Sequence, residues 1–276
     1  DLTTLSIGIV TYRPDFRTLS QTIDTLNTCI DNSRKAGSLT DACLIIVDNS
    51  TCKAVYNKIE QMLELAQNRY QITTRLLAPP RNLGYGMAQN LALEISSTDY
   101  HLVLNPDVLL DENSLQNAVE FMQQHGDVAL LTPNGRNKQG NKEYLNKRYP
   151  DLITLLLRGF APQALKNRFR RRIAHYEMWD LDPEKIHYGL PLASGCFMLF
   201  RTPLLKKLRG FSEKYFLYFE DYDLSMRTHQ YGDIAYVPDV RILHYGGGAT
   251  RKGLKHILLF VRSAITFFNQ HGWKWW

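Results

Sequence analysis

Three carboxylates stand close together among aromatic residues in Tyr215-Phe216-Leu217-Tyr218-Phe219-Glu220-Asp221-Tyr222-Asp223-Leu224, and Arg227 follows. Packing acids against rings strips their water and sets their charges against one another. Both effects raise carboxylate basicity and make a proton acceptor that works near neutral pH. The same residues also suit a helix start, where Glu220 and Asp221 would favour the positive end of the macrodipole. Two further residues have types suited to a cation. Asp107 lies in Asn105-Pro106-Asp107, where oxygen ligands would meet a hard ion, and a glycine run at 246–248 leaves the His244 ring unobstructed. A lone histidine is more often a hydrogen-bonded structural residue.

Asn82-Leu83-Gly84-Tyr85-Gly86 supplies a glycine pair that lets backbone approach a ligand near a helix start, where free amides favour anions. It is not a dinucleotide fingerprint. Gln89 stands where the third glycine would be, and the segment does not follow the first strand. No Gly-Lys-Ser/Thr follows Gly246-Gly247-Gly248, so a Walker phosphate loop is absent as well.

The elements that must position these residues alternate. Leu5–Val10 reads as a strand, Tyr12-Arg13-Pro14 as a break, and Phe16, Leu19, Ile23, Leu26 and Ile30 recur at helical spacing. Cys43–Val47 predicts a second strand ending in Asp48-Asn49-Ser50. A helix around Ile59, Met62 and Leu65, a strand at Thr73–Leu77, a helix over Tyr85–Ile95 and a strand at His101–Leu104 follow. This order implies an α/β fold with a mostly parallel sheet flanked by helices, which binds ligands beyond the carboxyl ends of its strands. Thr11-Tyr12-Arg13, Asp48-Asn49-Ser50 and Asn105-Pro106-Asp107 fall at those ends and would converge on one crevice. Each taken alone is also ordinary turn chemistry. From Asn134 to Arg172 the chain turns basic, with Lys166-Asn167-Arg168-Phe169-Arg170-Arg171-Arg172 at its end. A long, irregular, mobile insertion over about 134–190 is expected, with a short apolar helix at Leu152–Leu157. Regular structure is expected again at Ala193–Arg201 and Ile234–His244.

The 276 residues are 44% hydrophobic and 22% charged, enough for a sizeable core, and 33 Lys plus Arg against 27 Asp plus Glu favour an anionic partner. A basic nucleic-acid binder is disfavoured because no helix-turn-helix, zinc or RNA-binding signature accompanies the charge. The four cysteines form no C-x-x-C pair, which predicts a reduced, cytoplasmic setting. No signal peptide is recognisable, and Leu152–Leu157 and Ile257–Val261 fall far short of the roughly 20 residues a membrane span needs.

The ordered set Ser6-Ile7-Gly8-Ile9-Val10-Thr11-Tyr12, Val47-Asp48-Asn49-Ser50, Asn82-Leu83-Gly84-Tyr85-Gly86, Leu104-Asn105-Pro106-Asp107, Gly195-Cys196-Phe197-Met198, the Tyr218–Leu224 acid cluster and His244-Tyr245-Gly246-Gly247 resembles glycosyltransferase family 2. More narrowly, it resembles that family's bacterial rhamnosyltransferase branch. The resemblance implies a GT-A fold, Rossmann-like, with residues 1–110 binding the nucleotide sugar and 111–276 supplying the acceptor site and catalytic base. Thr11, Tyr12, Arg13 and Asp48 match positions that line the nucleotide, and Asn82, Gly84 and Tyr85 match the segment closing over the sugar diphosphate. Asp107 matches the metal-binding acid of an Asp-x-Asp motif whose first position is here Asn105, so one fewer negative charge faces the metal. His244 matches the histidine that completes binding of a divalent cation, Mg²⁺ or Mn²⁺. Asp221 matches the base, with Glu220 beside it. Cys196, Phe219 and Arg227 are expected near the acceptor, and Arg227 is also expected to pair with Asp223.

The implied reaction is an inverting single displacement with dTDP-β-L-rhamnose as donor, UDP-galactofuranose and other UDP-sugars being the competing donors. A polyprenyl-diphosphate-linked glycan is the implied acceptor. A protein that binds sugar nucleotides without catalysis would not need Asp107, Asp221 and His244 together. Lys166–Arg172 could meet an anionic membrane surface or a diphosphate. The C-terminal helix expected over about 252–270 would set Lys255, Arg262, Thr266 and Asn269 on one face. Trp273, Lys274, Trp275 and Trp276 form an ending suited to a membrane interface. Core packing of that helix is the competing expectation.

Overall fold

The structure is a computed structural model that describes residues 3–246 and 253–276. Gly247, Gly248 and position 252 of the expected C-terminal helix lie outside the described residues. The first half alternates strand and helix: β1 (Thr4–Thr11), α1 (Phe16–Ala36), β2 (Asp41–Asp48), α2 (Lys53–Tyr70), β3 (Thr73–Leu77), α3 (Tyr85–Glu94) and β4 (Tyr100–Leu104). Then come β5 (Val108–Leu110), α4 (Ser114–Gln124), β6 (Val128–Asn137), β7 (Lys142–Glu143), β8 (Asn146–Lys147), α5 (Leu152–Phe160), α6 (Gln163–Arg168) and α7 (Arg170–Tyr176). The chain closes with β9 (Leu192–Ala193), β10 (Phe197–Arg201), α8 (Thr202–Lys207), α9 (Glu220–Thr228), β11 (Asp233–His244) and α10 (Leu254–His271).

One sheet runs β3-β2-β1-β4-β10-β6-β11-β5, with β7 paired to β6. β1 to β4 are mutually parallel. Leu5, Ile7, Ile9 and Val10 are all buried, which is how a strand covered on both faces reads. The second half is mixed, because β10 runs antiparallel to both β4 and β6, and β11 lies parallel to β6. α1 packs its Leu19, Ile23, Leu26 and Ile30 stripe into the core. Asp15 caps this helix through Thr18 N–H at 2.8 Å, and Gly37 ends it in the left-handed region. With β1 between β2 and β4, the chain leaves β1 to one side and returns on the other. The carboxyl ends of these strands therefore open a crevice.

The basic stretch expected to be irregular is folded. Residues 134–137 continue β6, and Lys166–Arg172 runs through α6 into α7. Lys and Arg are good helix formers, and these short helices are held from outside: Asp151 caps α5 through Thr154 N–H and pairs with Arg172 at 2.8 Å. α10 meets the expectation of core packing on one face. Ala264, Phe267 and Phe268 are buried with Leu155, Tyr176, Tyr215 and Phe219 in a separate aromatic cluster, while Leu258 and Ile265 stay exposed. Among the described residues no helix is long and apolar enough to cross a membrane.

Candidate active site

Hydrogen bonds tie the strand ends into one wall. Asp48 Oδ1 accepts from Thr11 Oγ1 (3.0 Å), Ser50 N–H (3.1 Å) and Ser50 Oγ (2.6 Å). Oδ2 takes none of these. Asn49 clamps the next loop, donating to the Gly84 carbonyl at 3.0 Å and accepting from Leu83 N–H at 3.3 Å. Asn82 Oδ1 accepts Gly84 N–H at 2.9 Å. Gly84 has φ 82° and ψ 178°, a conformation only glycine adopts without strain, and a Cβ there would run into the Phe216 carbonyl. Tyr12 is 55% exposed with the Arg13 guanidinium 5.5 Å from its ring, so both stand at the open edge.

The turn into β10 joins this wall to the acids. Tyr85 donates its hydroxyl to the Gly195 carbonyl at 2.8 Å, and Gly195 N–H donates to Asp221 Oδ2 at 2.8 Å. The next carbonyl, of Cys196, accepts Asn105 N–H at 2.9 Å. A Cβ on Gly195 would lie 3.2 Å from that of Asp221, a tight contact that a side chain there would make only if Asp221 shifted.

Both sequence expectations for the acid cluster hold at once: α9 begins at Glu220, and the acids are also enclosed. Tyr218 (φ 72°) and Phe219 (φ 64°) precede it in the left-handed region, where side-chain-bearing residues are strained. Phe219 offsets that strain by packing on Phe260, Phe267 and Tyr222 at 5.2, 5.4 and 5.5 Å between centroids. Glu220 is buried, and its Oε2 has no hydrogen-bond partner. Burial first, and the Asp221 charge second, push its carboxyl up to about 8. Burial raises Asp221 as well. Its ionised form is favoured by N–H donors from Gly195 and from Tyr222 (2.9 Å), and by the Lys147 charge. The donors around half-buried Asp221, set against the unpartnered Glu220 Oε2, favour the charge of the pair on Asp221 and the proton on Glu220.

Register explains the second cluster. Val108 pairs with His244 across β5 and β11, which sets Asp107 beside the ring. His244 Nε2 lies 3.5 Å from Asp107 Oδ1, while Nδ1 lies 3.0 Å from both Glu143 carboxylate oxygens. Burial alone would lower this histidine, but its bonds to Asp107 and Glu143 outweigh it and raise the group to about 9. Among the described residues no three His, Cys, Asp or Glu side chains converge as a ready metal cage. Asp107 Oδ1 is nonetheless buried without a hydrogen-bond partner, and Glu143 orients the ring from behind. Asp107 and a deprotonated His244 would offer a divalent cation one carboxylate oxygen and one ring nitrogen.

The three residues expected near an acceptor have these surroundings. Cys196 and Phe219 are buried in core clusters. Arg227 is committed to Asp223 (2.9 Å) and to the carbonyls of Leu208 and Gly210, both at 2.8 Å. The Asp223–Arg227 pairing is as expected. Sequence reasoning missed Glu143, Asn49 as the loop clamp, and Lys147. Burial lowers the Lys147 ammonium to about 8, and it faces Glu177 at 4.0 Å. Asn49 sat inside a motif already singled out, whereas nothing in the spacing marks Glu143 or Lys147.

A family model described as Glycosyl transferase family 2 matches residues 6–209. The chain belongs to glycosyl transferase family 2. An N-acetylglucosaminyl-diphospho-decaprenol L-rhamnosyltransferase of Mycobacterium tuberculosis is 28% identical over 228 residues, covering 77% of this chain and 72% of that protein. Rhamnosyltransferase WbbL of Escherichia coli K12 is 22% identical over 174 residues, 59% of this chain and 61% of WbbL. S. aureus TarS 1–349 in complex with UDP-GlcNAc superposes on 97% of this glycosyltransferase and 67% of that chain, with TM-score 0.60 and 16% identity. GalNAc-T7 with UDP, GalNAc and Mn²⁺ superposes on 89% of it and 44% of that chain, with TM-score 0.64 and 14% identity. These two likenesses establish the GT-A fold.

Proposed function

We propose that this family 2 enzyme is an inverting transferase that moves L-rhamnose from dTDP-β-L-rhamnose to a hydroxyl of a lipid-linked glycan in bacterial surface polysaccharide assembly. The observation that carries the reading is Asp221, a half-buried carboxylate next to protonated Glu220 and tied through Gly195 to the strand-end crevice. The names of the two relatives support rhamnose as the sugar, and the diphospho-decaprenol of one supports a lipid-linked acceptor.

In this reading residues 1–110 serve the donor and 111–276 the acceptor and base. Thr11, Tyr12, Arg13 and Asp48 receive the nucleotide, while Asn82, Gly84, Tyr85 and Asn105 border the sugar diphosphate. Asp107 and His244 are the side chains that would hold Mg²⁺ or Mn²⁺, a reading supported by the Mn²⁺ in one structural neighbour. Such an ion, when bound, offsets charge developing on the diphosphate. Asp221 takes the proton of the acceptor hydroxyl as that oxygen bonds to the anomeric carbon. The bond to the diphosphate breaks on the opposite face, so a β-linked donor yields an α-rhamnoside. A lipid-linked acceptor places the reaction at the cytoplasmic face of the membrane.

A UDP-sugar donor, such as UDP-galactofuranose, is the second reading, favoured by the UDP and UDP-GlcNAc in two TarS structures. The test offers purified protein each of dTDP-rhamnose, UDP-galactofuranose and UDP-GlcNAc, with an N-acetylglucosaminyl-diphospho-polyprenol acceptor. Nucleotide release from dTDP-rhamnose alone is expected. Release of UDP would overturn the donor, and donor binding without any release would make this a non-catalytic sugar-nucleotide binder.

A further inference from the structure

α10 has two faces. Ala264, Phe267 and Phe268 pack inward against Leu155, Tyr176 and Phe219. About a quarter turn around the helix, at 3.6 residues per turn, Leu254, Leu258, Val261 and Ile265 line up in an adjoining stripe, and they are 79%, 70%, 42% and 45% exposed. The stripe continues past the helix end. Trp273 stacks on Phe268 at 5.1 Å and donates its Nε1–H to Asn269 at 2.9 Å, the two side chains that flank the stripe, and Trp275 stacks on Trp273 at 4.9 Å.

The two segments that form this face are rich in cations. Leu254–Trp276 contains Lys255, Arg262 and Lys274 and no carboxylate, with Lys255 and Arg262 bordering the stripe. Leu152–Tyr176 packs against α10 through the aromatic cluster and through a Leu152 N–H bond to the Lys274 carbonyl (2.9 Å), and it carries six cations and no carboxylate, two of them, Arg158 and Arg172, being paired with Glu177 and Asp151 just outside it. Together the two segments hold nine of the 33 Lys plus Arg and none of the 27 Asp plus Glu, so the remaining 24 cations leave the rest of the chain at −3.

We propose that this face docks on an anionic lipid bilayer, with the stripe and the tryptophans at the headgroup boundary and the bordering cations over lipid phosphates. A second copy of the chain is the poorer occupant. Two-fold pairing of the stripe would bring the Lys255 and Arg262 of both copies together with no carboxylate in the helix to answer them. The helix also begins beside the acid pair: Tyr218, two residues before Glu220, bonds His256 Nδ1 at 3.0 Å and packs on Phe260 at 5.7 Å. Docking would therefore bring the acids toward the bilayer. That consequence rests on the proposed acceptor, whereas docking itself does not.

The test sediments the whole chain with vesicles of phosphatidylcholine alone, or with one third phosphatidylglycerol. Co-sedimentation with the phosphatidylglycerol vesicles and a blue shift of tryptophan emission are expected. Leu258→Glu with Val261→Glu should weaken binding at least about tenfold, and Lys255→Glu with Arg262→Glu should abolish the preference for phosphatidylglycerol. Donor binding in both variants should stay at the wild-type level, which separates this outcome from failure of the active-site reading. Wild-type protein remaining in the supernatant would overturn the proposal, as would variants that bind like wild type. A wild-type dimer that Leu258→Glu/Val261→Glu dissociates, without vesicle binding, would assign the face to a second copy instead.

Discussion

Glu220 is a buried acid whose Oε2 meets no donor, next to an aspartate that meets two backbone N–H groups. Burial and the difference in partners both separate their roles: the more deeply buried acid with an unpartnered oxygen favours the proton, and its neighbour favours the charge. A measurable stability term follows. The folded state holds the Glu220 proton up to about 8, above the ordinary carboxylate value of 4.5. Its contribution to stability is therefore complete at acid pH and is lost as pH rises through that window. Glu220→Gln removes the titration. Its melting temperature should lie near that of wild type at about pH 5 and above it at about pH 9, as read by thermal scans across the range. An unchanged difference between the two pH values would show that Glu220 is not the proton holder.

At the scale of elements, α9 and α10 are locked by one carboxylate. Asp223 is fully buried and answers Arg227 at 2.9 Å, and Gln270 and His271 at 2.8 Å each. Asp223→Asn leaves Arg227 without its counter-charge and should cost about 3 kcal/mol in urea unfolding. A change near zero would mean that the aromatic cluster alone holds α10. The same scale decides what could be read in advance. β1, β2 and the α1 stripe were legible because long periodic runs declare their buried faces. β5 has three residues, and β7, β8 and β9 have two each, too few to show a period. Their register is what sets Asp107 and Glu143 against His244, and Glu143 owes its place to the pairing of its strand with Gly135. The acid cluster was visible as residues. That it starts a helix and is enclosed as well follows from two left-handed residues and from rings contributed by α10.

Across the whole molecule, β10 runs antiparallel between the parallel half and β6, and its leading turn carries the link from Tyr85 to Asp221 and from Cys196 to Asn105. The proposed cation site at Asp107 and His244 and the acid pair that opens α9 thus flank a single turn. Asn105 leaves that side with one acid fewer than an Asp-x-Asp motif. Mn²⁺ binding should accordingly be weak in the wild type, and Asn105→Asp should tighten it about tenfold, measured by loss of the free-ion electron paramagnetic resonance signal. Equal affinity in both proteins would mean that position 105 does not face the ion.

The proposed role of Asp221 as the acceptor of the hydroxyl proton is tested by measuring donor binding and sugar transfer side by side in wild type and Asp221→Asn. A donor Kd within about twofold and a transfer rate lower by at least about 10² are expected. Transfer at the wild-type rate would rule the role out, and so would loss of donor binding in a variant that remains folded.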